Sequence, residues 1–119
     1  MSYTEVTYTP EQVFAGDTDV IAIECTVAAN TAIPAYAPVK RHTDYTIVAA
    51  NALADKVIGI LVPDTDGNGV ANTAGTKTVN VYKSGEFWAD NLDWTVLTAA
   101  NSDAKKQSVF DLTGVTLRF

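Results

Sequence analysis

At 119 residues, with 47% hydrophobic and 18% charged side chains, the chain is sized for one folded domain with a modest core and does not have the composition of a disordered one. Its net charge of −6, from 14 acids against 8 Lys and Arg, repels phosphate backbones and argues against a nucleic-acid partner. A single cysteine, Cys25, excludes an internal disulfide, and a single histidine, His42, with no second His or Cys beside it excludes structural zinc.

Residues 2–16 are rich in Thr and Tyr and are interrupted by Pro10 and Gly16. Tyr3, Thr4, Glu5, Val6, Thr7 and Tyr8 alternate with strand periodicity but carry too little apolar surface to bury a face. The expectation is an arm over residues 1–16 ahead of a β-rich domain over 17–119. The acids are concentrated early: the first 39 residues hold Glu5, Glu11, Asp17, Asp19 and Glu24 and no Lys or Arg. No basic run followed by an apolar run marks a signal peptide, and no apolar stretch approaches the ~20 residues of a bilayer span. The chain therefore reads as made and folded in the cytosol, with no membrane partner.

Asp19–Val27 alternates cleanly, placing Cys25 in phase with Ile21, Ile23 and Val27 as a buried small hydrophobe. The segment 33–39 contains Pro34 and Pro38, which predicts an edge segment or an extended connector. Tyr45–Ala49 is a short strand. Lys56–Val62 is a near-continuous apolar run closed by Pro63 and is predicted to be the most buried strand, with Gly59 marking a bulge or a close backbone approach. A Gly/Asp/Asn loop spans Asp64–Gly75. Thr76–Tyr82 is the next strand, followed by a tight reversal at Ser84-Gly85 and a second short strand at Phe87-Trp88. Asn101 or Ser102 caps a helix from Asp103 that buries Val109 and Phe110 and is stopped by Gly114. A last strand presents Val115, Leu117 and Phe119 on one face. The class is mainly β, a compact barrel-like or sandwich-like domain with one or two short helices.

Candidate chemistry is sparse. Asp64, Asp66 and Asn68, with Gly69 after them, match the front half of a calcium-binding EF-hand loop, but Gly75 stands where the bidentate Glu belongs. A turn between strands accounts for the same residues. His42 falls in a polar turn, Lys40–Asp44, without a positioned partner. Glu86, Asp90 and Asp93 lie near Trp88 and Trp94, a composition found in sugar-binding sites. In a small β domain Tyr82, Phe87, Trp88 and Trp94 more commonly close a core or a subunit contact. No phosphate-binding glycine motif and no catalytic constellation is present, so neither an enzyme nor a cofactor is expected.

The run Tyr82-Lys-Ser-Gly-Glu-Phe87 after alternating apolar residues, followed by an acidic-aromatic stretch to Trp94, resembles the head decoration proteins of lambda-like tailed phages. Three more blocks resemble that family in the same order: Ala35–Val39, Val57–Leu61, and Ser102–Lys106 with Phe110 and the C-terminal strand. Together they cover the chain from about Ile33 to its end. The strand Asp19–Val27 is stronger than the family's equivalent region, and the Asp64–Gly75 loop is longer. The resemblance implies a capsid-stabilising protein on the outer surface of the virion. It would bind as a homotrimer at threefold and quasi-threefold sites of the expanded head, with the N-terminal arm adding a strand to the major capsid protein. The competing expectation is a carbohydrate-binding or adhesin-like β module using Trp88 and Trp94.

Overall fold

A computed structural model describes residues 20–42, 45–71 and 75–119. The expected arm, including Tyr3–Tyr8, lies outside the described residues. Among the described residues six strands and one short α-helix form in the order β1 (Ile21–Val27), β2 (Pro38–Arg41), β3 (Thr46–Ala49), β4 (Val57–Leu61), β5 (Lys77–Trp88), α1 (Asp103–Val109) and β6 (Gly114–Arg118), with a 3-10 turn at Ala89–Asn91. The hydrogen-bonded order β1-β3-β2-β4-β5 returns to β1, and β6 adds to the far half of β5. The protein is mainly β, built on a closed five-stranded barrel. Closure removes the unpaired edges that an open sheet would leave.

The barrel interior follows from alternation. Cys25 and Val27 of β1 point inward to meet Val39, Ile47, Leu61 and Val81, while Glu24 and Thr26 face out beside Asn80 and Thr78 of β5. Ile21, at the start of β1, stays half exposed. A second core lies outside the barrel wall. Val57, Ile60 and Phe87 pack there against Leu97, Val109, Phe110, Val115 and Leu117, with Tyr82 and Trp94 at its margin. β4 is buried on both faces, which explains its continuous apolar run. A register shift in its pairing with β2, where Val39 opposes Gly59 and Lys40 opposes Val57, lets Val57 and Ile60 share one face. Gly59 pairs with Val39 beside the bulge at Ile58 and is itself a close approach, since a Cβ there would lie 2.2 Å from the Tyr82 carbonyl oxygen.

Four sequence expectations are corrected. The segment with Pro34 and Pro38 is a connector as far as Ala37, with a turn at Ala35-Tyr36, but it does not lead to an edge: Pro38 opens β2, which has β3 on one side and β4 on the other. A first strand position tolerates the missing N–H, and the Pro38 carbonyl still accepts from Ala50 N at 2.9 Å. Ser84-Gly85 is not a reversal, because β5 runs unbroken for 12 residues. It pairs with β1 up to Ser84 and with β6 from Ser84 onward, so the strand changes partner rather than direction. Gly85 supplies the bend with φ +131°, a conformation closed to side-chain-bearing residues. Gly114 does not stop the helix: α1 ends at Val109, Phe110 caps it, and Gly114 opens β6. Phe119 stays exposed beyond the end of β6, while Val115 and Leu117 are buried.

The helix starts as its sequence dictates. Ser102 accepts from Lys105 N at 3.3 Å, and Asp103 occupies the first turn. α1 also shields β6: Gln107 Oε1 accepts from Leu117 N at 2.9 Å, and Thr113 Oγ1 accepts from Val115 N at 3.0 Å. Two N–H groups of a terminal strand are thereby satisfied within the chain.

The partner change at Ser84 has a cost. A Cβ on Gly114 would sit 2.7 Å from Ser84 Cβ, so the strands meet closely there, and the Ser84 hydroxyl is buried without a hydrogen-bond partner. Ser84→Ala is expected to raise stability by about 1 kcal/mol, because a buried unsatisfied hydroxyl is removed without leaving a large cavity. Urea denaturation checks this, and a lower midpoint would mean the hydroxyl is bonded in solution.

Candidate functional site

The aromatic residues of the Tyr82–Trp94 segment separate by face. Phe87 is fully buried, and its ring centroid lies 5.5 Å from that of Tyr82, whose hydroxyl pKa is raised by burial and by neighbouring Tyr36. Trp94 is half-buried. Its Nε1 donates to the Ala89 carbonyl at 2.9 Å, its ring meets Phe110 edge-on at 6.2 Å, and the Lys106 ammonium lies 5.3 Å from the ring centroid. Trp88 alone of the four turns outward, at 40% exposure, with the Arg118 guanidinium 6.0 Å from its ring and Arg118 paired to Glu86 at 3.2 Å. The two tryptophans therefore differ: Trp88 is exposed, whereas Trp94 is part-buried with its N–H and one ring edge engaged.

The acidic residues beside them do not converge. Asp93 accepts from the backbone N–H and the hydroxyl of Thr95, Glu86 pairs with Arg118, and Asp90 is exposed on the 3-10 turn. The Asp64 loop is held by its own first residue. Asp64 Oδ1 accepts from Asp66 N and Asn68 N, each at 2.9 Å, and Gly67 takes φ +83°. That carboxylate oxygen holds the turn by itself, as an Asx-type turn does. No group of three or more His, Cys, Asp or Glu arranged to hold a metal occurs among the described residues. His42 is exposed and its N–H donates to the Thr46 carbonyl at 2.7 Å, which ties the end of β2 to the start of β3. Cys25 is buried inside the barrel. Desolvation raises its thiol pKa although the Arg41 guanidinium beside it pulls the other way, so it is not an activated nucleophile.

One feature escaped the sequence reading. Lys40, Arg41 and Lys56 line an open groove of about 690 Å³ with Ala54, Asp55 and Ile58. The Lys40-Arg41-His42 run was visible in the sequence, but Lys56 joins it only because β2 and β4 pair at Lys40 and Val57. Within the groove the Asp55 carboxylate is committed: it lies 3.1 Å from Lys40 Nζ and accepts from Asn51 N at 2.9 Å and Ala52 N at 3.0 Å. Desolvation pushes its pKa up, but the bonds from Asn51, Lys40 and Ala52 outweigh it and hold the carboxyl below its ordinary value. A depressed folded-state pKa gives stability that is present above the unfolded carboxylate range and lost as pH falls through the folded value. Asp55→Asn is therefore expected to flatten the acid limb of the stability–pH curve relative to the native chain. Thermal melts from neutral pH down to the carboxylate range test this, and parallel curves would rule it out.

No helix among the described residues is long and apolar enough to cross a membrane. Compared with protein-family models and with curated proteins, the chain matches none.

Proposed function

We propose that the chain is a capsid decoration protein that binds the outside of an expanded phage head as a homotrimer and stabilises it. The observation that carries this reading is the order and placement of the resembling blocks. They fall on the turn leading into β2, on β4, on β5 and on the α1–β6 unit, and their apolar residues Val57, Ile60, Leu61, Phe87 and Phe110 are core residues. A likeness carried by core positions speaks to a shared scaffold rather than to a shared active site. A cement protein needs shape and complementary surface, and of the side chains with candidate chemistry Asp64 holds a turn, Glu86 pairs with Arg118, Asp93 bonds Thr95 and Trp94 packs on Phe110.

The grip on the shell is assigned to the arm. Tyr3, Thr4, Glu5, Val6, Thr7 and Tyr8 supply a strand-forming sequence whose backbone pairs with an open edge of the major capsid protein. Ordering such a segment costs about 2–5 kcal/mol, which three arms on one trimer offset through effective concentration. Binding only the expanded shell then stabilises that state by mass action.

Mass measurement in solution, followed by sedimentation with expanded empty heads, tests both parts. The expected results are a trimer, saturable binding by the full chain, and loss of binding on deletion of residues 2–16. A monomer that ignores the shells would remove the reading altogether. A truncated chain that still saturates them would remove only the arm mechanism.

A further inference from the structure

Three of the 8 Lys and Arg side chains in this acidic chain converge on one groove, and the groove sits at one end of the barrel. Strand direction places it there: β2 runs antiparallel to β3 and β4, and β3 runs parallel to β1, so Arg41 at the end of β2 shares an end with the starts of β1, β3 and β4. The floor is apolar. Ile58 packs on the barrel core and is partly buried, Ala54 is exposed beside it, and Val20 and Ile21 are exposed at the same end.

The cations differ in what balances them. Lys40 is neutralised by Asp55. Arg41 Nη1 donates to the uncharged Tyr45 carbonyl at 3.2 Å, and no carboxylate among the described residues lies within ion-pair distance of Lys56. Among the described residues no carboxylate pairs with Arg41 or Lys56, and the groove presents both cations above an apolar floor. We propose that it binds an acidic peptide segment carrying an apolar side chain, with carboxylates meeting Lys56 and Arg41 and the apolar side chain lying on Ala54 and Ile58. A small inorganic anion would leave the floor uncovered, and a nucleic acid would meet repulsion from the −6 chain. Charge sets the choice of ligand and the apolar contact supplies the anchor. This proposal is independent of the capsid reading.

The test is fluorescence anisotropy of the full chain with a short labelled peptide of alternating Asp and Leu residues. Saturable binding that weakens with added salt is expected. Lys56→Glu is expected to weaken it by about tenfold or more, since the charge is inverted at the contact. The same charge change at Lys77→Glu, at the start of β5 and away from the groove, is expected to change binding by less than about twofold. Peptides with Lys in place of Asp, or Ser in place of Leu, are expected not to bind. Unchanged binding by Lys56→Glu, equal binding of the Ser-substituted peptide, or tighter binding of a single-stranded oligonucleotide would each overturn the proposal.

Discussion

Gly59→Ala is expected to lower stability by about 3–4 kcal/mol or more, a large share of the roughly 5–15 kcal/mol that holds a domain of this kind folded. The added Cβ would lie 2.2 Å from the Tyr82 carbonyl oxygen and 2.6 Å from Val81 Cγ1. The first neighbour is backbone, which cannot rotate away as the end of a flexible side chain would. Relief requires β4 and β5 to separate, and their ladder consists of two residue pairs, Ile60 with Tyr82 and Leu61 with Val81. That short ladder is one of the joints that close the barrel, so the damage reaches beyond local overpacking. Gly75→Ala is the matched control, because nothing among the described residues lies within 4 Å of a Cβ there. Urea denaturation should show a collapsed midpoint for the first variant and a near-native one for the second. A native midpoint for Gly59→Ala would show that the barrel yields at this joint without loss.

Gly59 also shows how far local sequence reaches. A glycine inside an apolar run reads as a bulge or a close approach; Gly59 is the close approach, and the bulge falls on its neighbour Ile58. The alternation of β1, the double burial of β4 and the Ser102 cap are legible because each leaves a local mark on the chain. Ser84-Gly85 misled because a glycine needed for a bend and one needed for a reversal look alike. Only the partners on either side, β1 and β6, distinguish them, and those lie far away in sequence. Pro38 misled in a similar way: the rule against proline in interior strands holds for ladder positions that must donate, and the first residue is exempt. The division into two cores has no local signature, since Val57 and Ile58 are adjacent yet belong to different ones. The cationic groove is legible only once β2 and β4 are paired.

Phe110→Ala is expected to cost about 3–5 kcal/mol and, more tellingly, to uncouple the two cores. Phe110 is 1% exposed, caps α1, accepts from both the N–H and the hydroxyl of Thr113 through its carbonyl, and packs on Trp94. Truncating its ring empties the centre of the α1–β6 unit while leaving the barrel interior untouched. β6 contacts the rest of the sheet through the far half of β5 alone, beyond the point where β1 stops pairing. The barrel ladders do not depend on β6, so the C-terminal unit can open before the barrel does. Tryptophan fluorescence reports on that unit through Trp94, whereas far-UV circular dichroism is dominated by the strands. In Phe110→Ala the fluorescence transition is expected at lower denaturant than the dichroism transition. Ile47→Ala, which cuts into the barrel core instead, is expected to cost about 2–5 kcal/mol and to lower both transitions together, because the C-terminal unit has no wall to pack on once the barrel opens. Coincident transitions in Phe110→Ala would mean that Phe87, Val57 and Ile60 bind the two cores into one cooperative unit.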